Sequence, residues 1–182
     1  MRVDPASHLI AGASHMPSCN ADERPGHCQP SLVVIHNISL PPGQFGGPYI
    51  SQLFTNRLDP GAHPGFASLS KLKVSAHVLI RRSGRIVQFV PFNRRAWHAG
   101  VSNFRGRDHC NDFSIGIELE GTDTLPYEDA QYRVLAALID ALRIAYPTLD
   151  RQNITGHSEI APDRKTDPGP AFDWQRLYRE LA

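Results

Sequence analysis

Four consecutive aliphatic residues, Leu-Val-Val-Ile at positions 32–35, give any strand built from them two apolar faces and no polar one. Such a strand is stable only inside a sheet that is covered on both sides. Residues 113–119 predict a further central strand. Two more apolar runs, at 78–80 and 86–90, flank a basic stretch that contains a glycine, and this arrangement predicts a β-hairpin.

The helices that cover this sheet are predicted from apolar spacing. Tyr132, Leu135, Ile139, Leu142 and Tyr146 recur at intervals of three and four residues, which predicts an amphipathic helix over 128–146 that ends before a proline. The proline at position 48 suits the start of a shorter helix that reaches residue 58. The aspartate at position 173 can cap a last short helix.

Together these patterns predict an α/β (α+β) fold, with a central mixed β-sheet flanked by helices in a single domain. A length of 182 residues with a hydrophobic content of 41% is sufficient for one buried core. Residues 1–30 are rich in proline, histidine, asparagine and small residues and show no apolar period. We therefore expect an irregular N-terminal segment at 1–30, packed on a domain at 31–182.

The net charge and the cysteine content indicate which partners the protein can bind and which cellular compartment it occupies. The formal net charge of +1 gives no bulk electrostatic reason to expect nucleic acid or an anionic membrane as a partner. No segment resembles a membrane span, and residues 1–30 lack the apolar core of a secretory signal. The three cysteines have no regular spacing and do not suggest a disulfide framework. We expect a cytoplasmic protein, and a monomer.

The residues with the clearest chemical content lie near the C-terminus. His157 is followed by a loop that places a lysine and Asp167 among prolines and glycines. A catalytic zinc ion typically takes three protein ligands and leaves a fourth position to water. His157 and Asp167 can supply two ligands, and His36, at the end of the first buried strand, is the best-placed third. His77 and His98 also border strands, so the pattern alone leaves them as alternatives.

Five segments of the chain, in order, resemble one family. They are Val-Val-Ile-His-Asn-Ile-Ser-Leu-Pro-Pro-Gly at 33–43, Val-Ser-Ala-His at 74–77, Arg-Ala-Trp-His-Ala-Gly at 95–100, Ser-Ile-Gly-Ile-Glu-Leu-Glu-Gly at 114–121 and Lys-Thr-Asp-Pro-Gly-Pro at 165–170. Several long motifs in the right order are more specific than one short pattern. Over residues 30–178 the chain resembles the AmpD-type 1,6-anhydro-N-acetylmuramyl-L-alanine amidases, within the wider group of phage amidase lysozymes and peptidoglycan recognition proteins.

This resemblance implies a reaction and a set of site residues. The reaction is hydrolysis of the amide between the muramic acid lactyl group and L-alanine in 1,6-anhydromuropeptides, during cell-wall recycling. Carried to this sequence, the resemblance implies that one zinc ion (Zn2+) per chain is bound by His36, His157 and Asp167. It also implies that Lys165 lies beside the metal and that Glu118 is the acid/base group.

Residues for substrate recognition are implied less directly. The resemblance favours contacts of Asn37 with the acetamido group and of Trp97 with the sugar. An anionic stem peptide calls for basic side chains, and Lys73, Arg105 and Arg107 are the candidates. Position 109 is histidine where the family pattern has arginine, so recognition of the peptide end is expected to differ here.

Three interpretations compete with parts of this assignment. Glu118 alternates with aliphatic residues, so it also suits an ordinary polar position of a strand, and Glu120 is its rival for the acid/base role. A peptidoglycan-fragment binding module without catalysis is the alternative function, and the presence of all three proposed ligands argues against it. A zinc peptidase is the third alternative, but the chain lacks the commonest motif of such enzymes, His-Glu-x-x-His.

Overall fold

The computed structural model describes residues 1–181, in which helices pack on a central sheet. The strands are β1 (Ser14–His15), β2 (Ala21–Glu23), β3 (Leu32–Ile38), β4 (Val78–Ile80), β5 (Ile86–Gln88), β6 (Arg94–Ala96), β7 (Asn103–Phe104), β8 (Arg107–Asp108), β9 (Ser114–Glu120) and β10 (Ile154–Gly156). The α-helices are α1 (Tyr49–Phe54), α2 (Phe66–Leu69), α3 (Asp129–Ala145), α4 (His157–Ile160) and α5 (Trp174–Glu180). None of these helices is long and apolar enough to cross a membrane.

The main sheet has six strands in the order β1-β5-β4-β9-β3-β10. β4, β9, β3 and β10 are parallel, whereas β5 is antiparallel to β4 in the predicted hairpin. β9 lies between β4 and β3, and all seven of its residues are buried. The predicted fold class, a mixed sheet flanked by helices, is confirmed.

Side-chain alternation along β3 and β9 separates the two faces of the sheet. Ile35 and Ile117 lie in the core cluster that contains the buried face of α3. Because successive side chains of a strand point to opposite faces, His36 and Glu118 lie on the other face. They are also direct neighbours in the pairing of β3 with β9. The sheet register therefore places an imidazole beside a carboxyl group from a distant part of the sequence.

Helix α3 agrees with the helix predicted over 128–146 to within one residue at each end. Glu128 and Gln131 form a capping box at its start. Gln131 also donates hydrogen bonds to the backbone carbonyls of Ile80 and Glu120, where β4 and β9 end. The start of α3 is thereby tied to the C-terminal ends of two central strands.

The N-terminal segment is less irregular than its sequence predicts. β1 lies parallel to β5 at the edge of the main sheet, and β2 pairs with β6 in a separate two-stranded sheet. These strands are two and three residues long, so no alternation can show in the sequence, and distant partners define them. Val3 and Ile10 are buried in the same core cluster as α3.

Helix α1 is shorter than the helix predicted over 48–58, because it ends at Phe54. Asn56 has a left-handed φ of 57°, which takes the chain off the helical path. Leu58 is buried nonetheless. At the other end of the chain, Asp173 caps α5 as predicted, since its side chain accepts a hydrogen bond from the backbone N–H of Arg176.

Candidate metal centre and active site

Three side chains converge near the C-terminal ends of the parallel strands. His36 lies in β3, His157 is the first residue of α4, and Asp167 lies in the loop that follows. β10 pairs with β3 so that Gly156 lies opposite Ile35, which places the next residues, His157 and His36, side by side. His36 Nδ1, His157 Nδ1 and Asp167 Oδ2 lie 2.9 to 3.0 Å from one another. We call these three residues the metal trio.

The donor atoms and spacing of the metal trio fit a zinc ion. Imidazole nitrogen and carboxylate oxygen are ligands of catalytic zinc, and tetrahedral bonds of about 2.0–2.1 Å put ligand atoms roughly 3.3 Å apart. Small side-chain rotations would open the observed separations to that value. Among residues 1–181, this is the one group of three or more histidine, cysteine or carboxylate side chains close enough to share an ion.

Burial and hydrogen bonding prepare the metal trio for a cation. Burial lowers the pKa of His36 to about 4, so its imidazole is neutral at pH 7, as a metal ligand must be. Burial alone would raise the pKa of Asp167, but hydrogen bonds with His157 and His36 outweigh it and hold that pKa below its ordinary value. Asp167 therefore supplies a negative charge, and His36 a neutral lone pair.

Glu118 lies beside the metal trio on the central strand β9. Its surface is 9% exposed, and its Oε2 atom is buried without a hydrogen-bond partner. Burial, and then the negative charge of Asp167, raises the pKa of Glu118 well above its ordinary value, whereas Lys165 lowers it. A buried carboxyl group with a raised pKa and a free oxygen has the properties of an acid/base group.

Glu120, the rival on the same face of β9, has different surroundings. Its Oε1 atom accepts hydrogen bonds from Arg81 Nη1 at 2.8 Å and from the backbone N–H of Gly46 at 2.7 Å. Its Oε2 atom accepts one from the backbone N–H of Arg82 at 3.2 Å. Both oxygens are occupied, so Glu120 anchors the loop before α1 and the turn after β4.

Lys165 is exposed in the loop that carries Asp167. It lines an open cavity of about 540 Å³ together with Asn37, Asp123 and Asp167. Its positive charge acts on the carboxyl group of Glu118. The cavity therefore leads from the surface to the carboxylate of the metal trio, with an ammonium group at its wall.

Asn37 holds the loop that carries the third member of the trio. Its Nδ2 atom donates to Asp123 Oδ1 at 2.7 Å and to the Pro168 carbonyl at 3.1 Å. The Tyr127 hydroxyl donates to the same Pro168 carbonyl at 2.7 Å. Pro168 directly follows Asp167, so these bonds fix its backbone. The contact of Asn37 with an acetamido group stays a prediction.

The predicted recognition residues Lys73 and Trp97 make no hydrogen bond with the metal trio. Lys73 is exposed in the segment between α2 and β4. Trp97 follows β6 and is half-buried, and its Nε1 donates to Asp22 Oδ1 at 3.2 Å. The structure thus places Trp97 against the N-terminal segment, and its contact with the sugar stays a prediction.

The two predicted arginines donate hydrogen bonds to residues from distant parts of the chain. Arg105 donates to Asn153 Oδ1 at 3.2 Å. Arg107 donates to Cys28 Sγ at 3.0 Å, and its guanidinium carbon lies 3.7 Å from the centroid of the Phe113 ring. Their role with a stem peptide stays a prediction. His109, the departure from the family pattern, is exposed in the same region.

His77 and His98, the alternative ligands, lie outside the metal trio. His77 accepts a hydrogen bond at Nδ1 from the backbone N–H of Gly116 at 3.0 Å, and its Nε2 lies 3.2 Å from Arg24 Nη2. Burial lowers the pKa of His77 to about 3, so it is neutral. His98 lies behind His36, with its Nδ1 atom 2.9 Å from His36 Nε2. His98 therefore contacts a member of the metal trio, whereas the hydrogen bonds of His77 go to Arg24, Arg94 and Gly116.

Sequence reasoning missed three residues that hold this site together, Asn111, Asp123 and Tyr127. Asn111 Oδ1 accepts the backbone N–H groups of His98 and Ala99. The other two act on the loop of the metal trio, as described above. Polar residues in loops are common, and no motif or spacing in the sequence distinguishes these three.

Comparison with known proteins identifies the relatives of the chain. The family described as N-acetylmuramoyl-L-alanine amidase matches residues 26–170. The 1,6-anhydro-N-acetylmuramyl-L-alanine amidase AmpD of Salmonella typhimurium (strain SL1344) is 63% identical over 178 residues, which are 98% of this chain and 95% of that protein. The AmpD of Haemophilus influenzae is 52% identical over 173 residues, 95% of this chain and 94% of that one.

Solved structures give the same picture for the fold. The crystal structure of a selenomethionine derivative of AmpD matches with a TM-score of 0.97 and 59% identity, and the match covers 100% of both chains. A complex of the E. coli N-acetylmuramyl-L-alanine amidase AmiD with the substrate anhydro-N-acetylmuramic acid-L-Ala-D-gamma-Glu-L-Lys matches with a TM-score of 0.62 and 30% identity. That match covers 91% of this chain and 60% of the other.

Proposed function

Because the chain belongs to the N-acetylmuramoyl-L-alanine amidase family, and within it to the AmpD-type 1,6-anhydro amidases, we propose that it is a zinc enzyme of cell-wall recycling. Its proposed substrate is a 1,6-anhydromuropeptide, and the bond cut is the amide between the muramic acid lactyl group and L-alanine. The observation that carries the proposal is the convergence of His36, His157 and Asp167. A buried carboxyl group with an unpartnered oxygen lies beside them, on Glu118.

Each residue has a defined task in amide hydrolysis. The metal trio would hold a zinc ion, which would supply a Lewis acid for activating water and polarising the scissile carbonyl. Glu118 accepts a proton from the attacking water and delivers it to the departing L-alanine nitrogen. Its raised pKa makes it a stronger proton acceptor than an ordinary carboxylate. Lys165 presents positive charge to the carbonyl oxygen as that oxygen becomes negative.

The substrate class is supported by relatives and by the open cavity. The AmiD complex contains an anhydro-N-acetylmuramic acid peptide, and the cavity lined by Asn37 and Lys165 leads to the metal trio. We assign sugar contacts to Asn37 and Trp97, and contacts with the anionic stem peptide to Lys73, Arg105 and Arg107.

We assign the activity to the cytoplasm. The three cysteines are free thiols, and free thiols are typical of a reducing compartment. In that compartment the enzyme would meet peptidoglycan fragments and not the intact wall. We also propose that the enzyme acts as a monomer, because all three members of the metal trio and Glu118 come from one chain.

Product analysis tests the reaction and the sugar together. The zinc-loaded protein is incubated with anhydromuropeptide and, separately, with an intact muropeptide of the same stem peptide. Mass spectrometry should show release of the free stem peptide from the anhydro substrate, and much slower release from the intact one. Cleavage within the peptide would contradict the proposed bond, and equal rates on both substrates would contradict the preference for the anhydro sugar.

A pair of aspartate variants tests the metal. Asp167→Ala removes a proposed ligand and should lose zinc and activity together, because two remaining protein ligands hold the ion poorly. Asp163→Asn changes an exposed aspartate of the same loop at a left-handed φ of 65° that asparagine tolerates, and should keep both. Zinc content by atomic emission and the rate of stem-peptide release are measured on both. Activity of Asp167→Ala without zinc would contradict the assignment.

A further inference from the structure

The two histidines of the metal trio each have a second ring nitrogen, and both nitrogens meet the same dipeptide. His36 Nε2 lies 2.9 Å from His98 Nδ1, and His157 Nε2 lies 3.1 Å from the carbonyl oxygen of Ala99. His98 and Ala99 are adjacent in the loop after β6. One short stretch of chain therefore contacts both imidazoles on the side away from the trio.

These contacts determine which nitrogen carries the proton. A carbonyl oxygen only accepts, so His157 Nε2 is protonated, and with zinc in place of the hydrogen bonds inside the trio its Nδ1 offers the metal a lone pair. For His36 Nδ1 to offer a lone pair as well, its Nε2 must donate to His98 Nδ1. His98 is then protonated on Nε2, which lies 3.1 Å from the Ser114 hydroxyl oxygen and donates to it. In the zinc-bound state this chain of bonds gives one consistent tautomer for each of His36, His98 and His157.

The dipeptide is itself held in place. Asn111 Oδ1 accepts the backbone N–H of His98 at 3.1 Å and that of Ala99 at 2.8 Å. Arg164 Nη2 donates to the Ala99 carbonyl at 2.7 Å. A single carboxamide oxygen thus fixes the backbone of both residues. A side chain that replaced Asn111 without an acceptor would leave two backbone N–H groups without their partner.

The strand beneath His98 is shaped to receive its ring. Gly116 of β9 lies under the imidazole, and a Cβ atom added there would stand 2.4 Å from His98 Cγ. No side chain fits that space, so the glycine in the motif at 114–121 has a defined purpose. It lets the His98 ring lie against the backbone of the central strand, where it reaches both His36 and Ser114.

We propose that His98 is a positioning residue that orients His36 for the metal, and that Asn111 positions it by holding the His98–Ala99 backbone. This inference rests on the proposed zinc site and adds the residues that hold one of its ligands in place. A partner that holds the second nitrogen of a ligating histidine fixes the tautomer and ring orientation, and its loss typically weakens metal binding by about 10- to 100-fold.

Paired substitutions of His98 test the proposal. His98→Leu removes the acceptor, whereas His98→Asn keeps an oxygen close to the position of Nδ1. Zinc affinity is measured by competition with a chromogenic chelator at pH 7.5. We expect a loss of about 10- to 100-fold for His98→Leu and recovery of most of it in His98→Asn. The unfolding temperature of the zinc-free proteins separates this effect from general destabilisation, since a merely structural role would lower that temperature and leave the affinity unchanged.

A second pair covers the case in which His98→Leu does not fold. Asn111→Asp keeps an oxygen that accepts both N–H groups, and Asn111→Leu does not. We expect Asn111→Leu to weaken zinc binding by about 10-fold. In addition, the ¹⁵N shifts of His36 in the zinc-loaded wild type should report a protonated Nε2, with two tautomers in the zinc-free Asn111→Leu variant.

The outcomes separate this inference from the proposed function. A wild-type protein that binds no zinc would overturn both. A wild type that binds zinc tightly, with His98→Leu and Asn111→Leu within about 2-fold of its affinity, would overturn only the positioning role and leave the zinc site intact. A protonated Nδ1 on His36 in the zinc-loaded wild type would rule out Nδ1 as the zinc ligand, and would overturn both the ligand assignment of His36 and the positioning role.

Discussion

Glu118 and Glu120 lie two residues apart on the same face of the same strand, yet their surroundings differ in almost every respect. Glu120 accepts three hydrogen bonds, one of them from the guanidinium group of Arg81 at 2.8 Å. Glu118 keeps a buried oxygen with no partner and has a raised pKa. One carboxylate is stabilised by its neighbours, and the other is held beside the metal trio at a cost in stability.

This comparison separates a carboxylate that stabilises the fold, Glu120, from one whose burial destabilises it, Glu118. Glu120, whose oxygens all have hydrogen-bond partners, joins the loop before α1 to the turn after β4. Glu118, which keeps an oxygen without a partner, lies at the proposed catalytic site. Strained or unsatisfied groups persist only where the surrounding structure holds them. Here the central strand is buried at every position and provides that support.

The largest effect expected from this contrast is on turnover. Glu118→Gln keeps the shape of the side chain and removes the base, so kcat should fall by about 10²- to 10⁴-fold. Zinc content and KM should stay close to wild type, because the substitution leaves the metal trio intact. Steady-state kinetics together with metal analysis measure this. A Glu118→Gln enzyme with near wild-type kcat would mean that another group moves the proton.

Lys165→Ala tests the charged neighbour of Glu118. Loss of one group that stabilises a developing oxyanion typically costs about 10²- to 10³-fold in kcat, and we expect that loss with zinc retained. Because Lys165 lowers the pKa of Glu118, its removal should also move the acidic limb of the pH profile of kcat to higher pH. A change in KM alone would contradict the proposed role in the transition state.

Glu120→Gln should show the opposite pattern. The substitution removes the negative charge that pairs with Arg81. Because hydrogen bonds to charged groups are worth about 1.5–3 kcal/mol, the free energy of unfolding should fall by about that amount. The effect on kcat should stay below about 3-fold. Urea unfolding measured beside the kinetics of Glu118→Gln completes the comparison. A large loss of kcat in a folded Glu120→Gln enzyme would reverse the two assignments.

The smallest effect concerns stability and pH in the zinc-free protein. Burial raises the pKa of Glu118 above its ordinary value of 4.5, so the folded state holds this proton more tightly than the unfolded chain. The wild-type stability contributed by that proton is present below the unfolded pKa and is lost as pH rises through the folded pKa. Glu118→Gln has no such proton to lose.

As pH rises from 5 to 8, the unfolding temperature of zinc-free Glu118→Gln should therefore increase relative to that of the zinc-free wild type. Thermal denaturation at several pH values measures the difference. A constant difference between Glu118→Gln and wild type across this range would contradict a raised pKa in the folded state.

The sequence predicts the sheet and its main helix well, because their signals are long and local. The apolar run at 32–35, the hairpin and the helix over 128–146 each extend over several residues of regular pattern. The strands β1 and β2 escape prediction because each is short and is defined only by a partner far along the chain. Helix α1 was predicted too long because apolar spacing continues past the residue at which the backbone turns.

The candidate site divides in the same way. Donor chemistry and position at strand and loop ends indicate His157 and Asp167 and leave several histidines open as the third ligand. The family resemblance selects His36, and the structure brings these three residues together. The choice of Glu118 over Glu120 does not follow from alternation, because both residues share one face. The family resemblance selects Glu118, and the physical difference lies in the neighbours that each carboxyl group meets in three dimensions, such as Arg81 for Glu120.

The metal trio joins parts of the chain that are remote in sequence, since 121 residues separate His36 from His157 and 131 separate it from Asp167. Closing so long a loop costs entropy before the contact stabilises the chain, so we expect these contacts to form late in folding. A metal ion bound there would therefore do little for the rate of folding. It would instead stabilise the native state after folding, which slows unfolding and lengthens the lifetime of that state.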